Sequence, residues 1–190
     1  FSSDSFDFSQ STDNQRLMEY IIHFKPPVYY QAGQRFDYSN TGYAILAAIV
    51  EKITQKPFEE FLNDEFFAPL QMKHTFVFDG DTKKLENRSF ATCGYTFSWR
   101  KKEHTWHDGV LGDKGIYSTA QDLLRWDQAL YTNKILKQET LQEAFSPLCS
   151  DLDSSRNYGY GWRINILDNG YKEVYHGGWW HGYNTLFVRL

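Results

Sequence analysis

Apolar residues recur at helical spacing through the first two thirds of the chain. Between Asn40 and Gln55, five of them fall three or four positions apart: Tyr43, Leu46, Ala47, Val50 and Ile53. This spacing predicts an amphipathic helix with one face in the core. By the same criterion, further helices are expected at four places: residues 13–24 with Asp13 as N-cap, 57–67 opened by Pro57, about 119–130, and 137–145.

The apolar period changes from helical to alternating in the last third. From Tyr158 to Ile166 large apolar residues occupy every second position, which predicts one strand. Asp168-Asn169-Gly170 then predicts a hairpin turn, followed by a return strand over 171–176 and a third strand over 183–190. These strands predict an antiparallel sheet.

The pattern is weakest over residues 70–118. A short strand is expected over 75–78, a turn at 79–81 and another strand element over 90–99. Three glycines, Gly109, Gly112 and Gly115, indicate a segment where the backbone passes close to something else. The expected fold class is therefore α/β in the wider α+β sense, with a mainly helical part over about 13–150 and sheet strands over about 155–190.

Composition adds limits to this picture. The 190 residues are 41% hydrophobic and 18% aromatic, which favours a packed fold with clefts. The net charge is −4 and no basic block stands out, so neither nucleic acid nor an anionic membrane is indicated as a partner. No apolar run reaches the roughly 20 residues of a transmembrane helix. Cys93 and Cys149 are expected to be buried free thiols, with a disulfide as the alternative.

Two short stretches carry candidate chemistry. Tyr38 and Asn40 stand two residues apart at a predicted helix start. A tyrosine phenol ordinarily has a pKa of about 10, so such a group accepts a proton only near cations. Asn40 can both donate and accept a hydrogen bond to a substrate amide. Taken alone, the pair is better explained as part of a helix start, with Asn40 as the N-cap.

The second stretch is His176-Gly177-Gly178-Trp179, expected at a strand end. Two glycines allow a substrate backbone to approach, and the Trp179 N–H could face a developing oxyanion. The alternative is a glycine-rich bend with a surface histidine.

Two further motifs are interpreted as structural. The pair His104 and His107 has no third metal ligand in view, so a solvated loop is favoured over a metal site. Asn87-Arg88-Ser89 fits a glycosylation acceptor but indicates little without a secretory context.

Five motifs in order resemble the serine beta-lactamase-like family, which comprises class C beta-lactamases, DD-peptidase penicillin-binding proteins and related esterases. They cover the chain from about Pro27 onward: Tyr38–Tyr43, Phe67–Met72, Gly115–Leu123, Tyr158–Trp162 and His176–Gly178. The resemblance implies a beta-lactamase/transpeptidase-like fold, here incomplete at both ends, within one domain over 1–190. It also implies a periplasmic or extracellular location and no metal or cofactor.

The resemblance assigns a role to each matching residue. Tyr38 corresponds to the tyrosine of proton transfer and Asn40 to the asparagine that binds the substrate amide. His176 corresponds to the third-motif cation, and Gly177, Gly178 and Trp179 to the oxyanion and substrate-binding strand. Because a histidine ordinarily titrates near pH 6.5, activity is expected to depend on pH. This histidine and the bulky Trp179-Trp180-His181 favour a DD-peptidase or esterase over a dedicated beta-lactamase.

The family's Ser-x-x-Lys nucleophile is the departure from the pattern. None of the serines before Tyr38 has a lysine three positions later. The resemblance therefore implies part of a serine hydrolase acting by acyl transfer on peptide, amide or ester bonds, with no nucleophile in this chain, which is expected to be inactive alone. The alternative is a non-catalytic module of the same fold that binds cell-wall peptides or serves in interactions.

Overall fold

Some helices of the chain begin at a residue whose side chain caps them. The computed structural model describes residues 12–86, 88–89, 91–149, 152–153 and 156–190. Contacts divide it into two units: the described residues up to Pro26 with Ser39–Arg125, and Pro27–Tyr38 with Trp126–Leu190.

Two capped helices open the first unit. Helix α1 spans Asn14–Phe24, and the Asp13 carboxylate accepts from the Arg16 N–H at 2.8 Å. Helix α2 spans Asn40–Thr54. Its N-cap is Ser39, whose hydroxyl accepts from the Gly42 N–H at 3.0 Å, so the interpretation of Asn40 as N-cap was wrong.

Shorter elements complete the first unit. Helix α3 covers only Phe58–Leu62, because a π-helical turn, Asn63–Phe67, replaces the second half of the helix predicted over 57–67. A short helix α4, Thr82–Glu86, was not predicted. Strands β1, Phe76–Val77, and β2, Ile116–Tyr117, pair in antiparallel fashion, and a 3₁₀ turn spans Trp106–Gly109.

The strand element predicted over 90–99 was wrong for the described residues of that range. They form a loop with one isolated bridge, between Tyr95 and Lys101. Phe90 lies outside the described residues, as does Asn87 of the possible glycosylation site.

Gly112 confirms the expectation of a close backbone approach. A β-carbon there would lie 2.5 Å from the Tyr43 carbonyl oxygen and 2.7 Å from the Ala47 β-carbon. Because these neighbours belong to α2, only glycine lets this segment run against that helix. Nearby, the Asn14 side chain exchanges two hydrogen bonds with the Leu111 backbone, at 2.7 and 3.2 Å.

A buried aspartate fixes the start of helix α5, Ala120–Leu130. Thr119 caps Asp122 as the capping-box pattern predicts, at 3.2 Å. The Asp122 carboxylate is fully buried and accepts from the His74 N–H at 2.7 Å, the Thr75 hydroxyl at 3.0 Å and Arg125 at 2.7 Å. It therefore holds together segments more than forty residues apart.

The second unit contains helix α6 and a four-stranded antiparallel sheet. Helix α6 spans Gln138–Ala144, and the strands are β3, Arg156–Tyr158, β4, Arg163–Ile166, β5, Lys172–Trp180, and β6, Tyr183–Arg189. They lie in sequence order and each pairs with the next. This mixture of helices and antiparallel sheet confirms the predicted fold class.

Two details of the sheet correct the sequence prediction. The alternating run over 158–166 is two strands, because the chain turns over 159–162, where the Gly159 N–H donates to the Trp162 carbonyl at 2.8 Å. Strand β5 also continues through the glycine pair, so His176 lies within the strand and not at its end. The glycines keep their pairing with Thr185 and Leu186.

One transverse row forms the buried centre of the sheet. The register sets Asn157, Ile164, Val174 and Arg189 directly opposite one another, and all four are buried. Directly opposite residues share a face in antiparallel strands, so this row marks the packed face.

Candidate active site

Tyr38 lies in an aromatic cluster of the second unit. Its ring stacks on the His176 ring, with 6.2 Å between centroids, and meets the Tyr158 ring edge-on at 6.2 Å. Phe36 packs against Tyr158 at 5.0 Å. The structure therefore brings together two residues that are 138 positions apart in the sequence, Tyr38 and His176.

Hydrogen bonds define the state of the His176 ring. Its Nδ1 lies 2.8 Å from the Gly177 carbonyl oxygen, and its Nε2 lies 2.9 Å from the Tyr158 hydroxyl. A carbonyl only accepts, so Nδ1 carries the proton. In the neutral ring Nε2 then accepts from the Tyr158 O–H, and both nitrogens are satisfied without a positive charge.

Electrostatics favour the same neutral state. Burial lowers the pKa of His176 below its ordinary value, the Gly177 carbonyl opposes this, and the Arg163 guanidinium lowers the pKa further. Arg163 itself lies with its guanidinium carbon 5.9 Å from both the Tyr38 and Tyr158 ring centres. It supplies a permanent positive charge beside the cluster.

The hydrogen-bond pattern shows which way the β5 backbone faces. The Leu167 N–H donates to the Tyr171 carbonyl at 2.8 Å, so odd-numbered residues of β5 face β4. Because this direction alternates along a strand, even-numbered residues face β6, and Gly177 and Trp179 face the β4 side.

That side is open beyond Tyr175. The last β4–β5 pair joins Arg163 to Tyr175, whereas β5 runs on to Trp180. Within the part of the chain that the structure describes, no strand pairs with residues 177–180 on this side. The Gly177 carbonyl and the Trp179 N–H are thus presented at a free strand edge. The Trp179 side chain is also exposed.

Asn40 stands at the first position of α2, in the first unit, and is exposed. It follows Tyr38 by two residues in the chain, and its proposed contact with a substrate amide stays a prediction.

The sequence pattern singled out neither Arg163 nor Tyr158 as a candidate site residue. Both were counted as positions in one alternating strand, which hid the fact that they stand opposite each other on two strands. The signal was the Tyr-Gly-Tyr-Gly-Trp string of 158–162, whose glycines permit a turn.

A Ser-x-x-Lys string does occur downstream, at Ser98 and Lys101. It lies in an exposed loop, where the Ser98 hydroxyl is 3.0 Å from that of Thr96. The described helices carry no such string, and this loop has none of the helical geometry of the family's nucleophile motif.

Among the described residues, the pair His104 and His107 belongs to no metal-binding group, and the two cysteines form no disulfide. His104 Nδ1 lies 3.1 Å from the Asp108 carboxylate, which also accepts from the Thr105 N–H. Among the described residues no three His, Cys, Asp or Glu side chains are arranged for a metal ion. Cys93 and Cys149 are free thiols, partly and not fully buried.

A comparison with protein families decides the family. The beta-lactamase family model matches residues 3–190. The chain belongs to the beta-lactamase family. This membership confirms the resemblance inferred from the five motifs, and the family comprises serine hydrolases among its characterised types.

Two bacterial proteins illustrate the curated relatives of the chain. Penicillin-binding protein 4* of Bacillus subtilis is 27% identical over 190 residues, which cover 93% of this chain and 42% of that protein. A putative D-alanyl-D-alanine carboxypeptidase of Salmonella typhi is 27% identical over 172 residues, covering 74% and 38%. The chain thus spans about two fifths of the length of these relatives.

Solved structures show the same fold. An octameric penicillin-binding protein homologue from Pyrococcus abyssi superposes with a TM-score of 0.79 over 100% of this chain and 43% of that one, at 22% identity. A likeness at this level of identity establishes the fold alone. No described helix is long and apolar enough to cross a membrane.

Proposed function

We propose that this chain carries the proton-handling and substrate-binding half of a serine hydrolase that acts by acyl transfer. The bonds attacked are peptide, amide or ester bonds. One observation supports this most strongly: Tyr38, His176, Tyr158 and Arg163 cluster in the unit whose β5 strand has a free edge at Gly177–Trp179. Neighbouring proton carriers, a fixed cation and a free backbone N–H are the parts that acyl transfer requires.

Each of these groups is proposed to act at one step of the reaction. A serine hydroxyl attacks the substrate carbonyl and gives its proton to a general base. The leaving amine or alkoxide then takes up a proton. Tyr38 is the proposed proton carrier next to the nucleophile. The Trp179 N–H stabilises the oxyanion, because it points to the free edge of β5 and keeps no partner in β6.

The serine itself is proposed to lie outside these 190 residues. The described helices lack Ser-x-x-Lys, and the relatives are more than twice as long as the match. A fluorescent penicillin should therefore label the whole protein and leave this chain unlabelled. Labelling of the isolated 190 residues would refute the assignment. A whole protein without Ser-x-x-Lys upstream would favour the alternative, a non-catalytic module that binds cell-wall peptides.

Arg163 suggests the substrate class. A neutral His176 cannot hold a carboxylate by charge, whereas the guanidinium of Arg163 can do so at any physiological pH. We infer a peptide with a free C-terminal carboxylate, as in a DD-carboxypeptidase, with the site on the outer side of the cytoplasmic membrane.

Replacing Arg163 tests this substrate class. In the whole protein, Arg163→Ala should lower kcat/KM for a peptide ending in D-Ala-D-Ala by roughly 10- to 150-fold, since a charge-assisted pair contributes about 1.5–3 kcal/mol. The C-terminal amide of the same peptide should lose less than about threefold. Arg156→Ala, in the same sheet, is the control for loss of charge. Equal losses on both peptides would contradict a carboxylate-binding role.

A further inference from the structure

A hairpin-like loop in the first unit, residues 94–102, presents aromatic side chains to solvent. Phe97 is 100% exposed and Trp99 84%, and Tyr95 is 45% exposed. Apolar groups of this size ordinarily lie inside a protein, so three at one loop tip indicate an interaction surface. We call residues 94–102 the aromatic loop.

Hydrogen bonds give the aromatic loop a defined shape. The Lys102 N–H donates to the Gly94 carbonyl at 2.9 Å and the Thr96 N–H to the Arg100 carbonyl at 2.8 Å. The Thr96 hydroxyl accepts from the Arg100 N–H at 3.1 Å. The exposed rings thus stand on a hydrogen-bonded turn, and the Tyr95 and Trp99 rings lie 6.3 Å apart.

Charge narrows the choice of partner. Arg100, Lys101 and Lys102 follow the aromatic residues and all three are exposed; with the exposed Glu103 that comes next, residues 91–103 carry three basic charges against one acidic charge. The chain as a whole carries −4, so this positive charge is local and averages out in the composition. Aromatic rings beside a basic cluster match the headgroup region of an anionic bilayer, where rings enter the interface and Lys and Arg meet lipid phosphates.

We propose that the aromatic loop docks the protein on anionic lipid surfaces. Phe97 and Trp99 insert at the headgroup level, and the three basic residues bind the negative surface. Each basic residue near such a surface raises the protein's partition coefficient onto the membrane by roughly fivefold. The three basic residues therefore add to the affinity that the aromatic rings provide. This inference stands apart from the hydrolase proposal and uses none of its residues.

Vesicle co-sedimentation of the whole protein tests the proposal. Binding is expected to phosphatidylcholine vesicles containing about 30 mol% phosphatidylglycerol, and at least tenfold weaker binding to pure phosphatidylcholine or in about 1 M salt. The double variant Phe97→Ser/Trp99→Asn should lose at least tenfold in affinity. Asparagine is chosen because Trp99 has a left-handed φ of 59°, which asparagine tolerates.

Matched controls separate the loop from general surface effects. Tyr171→Ser removes an exposed ring elsewhere, and Lys134→Gln/Lys137→Gln removes two exposed charges; both should bind vesicles as the unaltered protein does. Arg100→Gln/Lys101→Gln/Lys102→Gln should abolish the preference for phosphatidylglycerol. Circular dichroism confirms folding of each variant.

Three results would overturn the proposal. They are no binding to anionic vesicles, equal binding by loop and control variants, or loop-dependent binding to purified peptidoglycan without binding to vesicles. The last would assign the rings to glycan stacking.

Discussion

At the residue scale, the state of His176 governs how the candidate site works. The sequence was enough to single out Tyr38 and His176, because each stands in a recognisable string. It could not predict that Tyr158 would hold the ring through Nε2 or that Arg163 would lie near both tyrosines. Those contacts depend on strand register, which a single alternating pattern over 158–166 does not contain.

The lowered pKa of His176 predicts a pH dependence of stability. Below about pH 6.5 the unfolded chain binds more protons than the folded chain, so the free energy of unfolding rises with pH in that range. The neutral His176 ring therefore makes its full contribution to the free energy of unfolding above about pH 6.5. That contribution is lost as the pH falls through the pKa of His176 in the folded protein. Urea unfolding between pH 5 and 8 should show the slope, and His176→Gln should flatten it.

Arg163→Ala is the companion variant for the pKa. It removes the guanidinium that lowers the His176 pKa, so this pKa should rise in an NMR titration. A wild-type pKa above 6.5, or an unchanged pKa in Arg163→Ala, would contradict the proposed neutral state of His176.

At the element scale, strand β5 offers backbone groups to the candidate site at its free edge. Helical periodicity predicted α1, α2, α5 and α6, and the first three of these also have a side-chain cap. The same periodicity did not predict that the helix expected over 57–67 changes to a π-helical turn after α3. Two glycines in sequence suggested a strand end, but they continue the ladder because strand pairing needs only their N–H and C=O groups.

Two substitutions of Trp179 test the role of its backbone N–H separately from that of its side chain. In the whole protein Trp179→Pro removes the N–H proposed for the oxyanion, and kcat should fall by roughly 100- to 1000-fold. Folding should survive, because this N–H faces the unpaired side of β5. Trp179→Ala keeps the N–H and should retain kcat within about tenfold. Equal kcat in the two variants would exclude the N–H from the mechanism.

At the scale of the whole molecule, five short motifs in order identified the family before any contact was known. Composition gave only limits, and it concealed the basic residues of the aromatic loop. The second unit is secured by a buried arginine that no motif marked. Arg189 lies in the packed row of the sheet, pairs with Asp127, and stacks over Tyr131 at 4.6 Å and Phe145 at 5.1 Å.

Arg189 therefore predicts a large effect on stability. Arg189→Ala should lower the free energy of unfolding by about 2–4 kcal/mol, because it removes packing and leaves Asp127 without its partner. The exposed Arg156 is the control, and Arg156→Ala should change stability by less than about 0.5 kcal/mol. Urea denaturation that gave the two variants similar stability would show that the pair contributes little.

The most direct test of the proposed acyl-transfer site is hydrolysis of an N-acyl-D-Ala-D-Ala peptide by the whole protein and its Tyr38→Phe variant. The variant keeps the ring against His176 and loses only the hydroxyl. If Tyr38 carries the proton, kcat/KM falls by roughly 100- to 10,000-fold while thermal stability is retained. Unchanged hydrolysis by Tyr38→Phe would remove Tyr38 from the mechanism and contradict the proposed site.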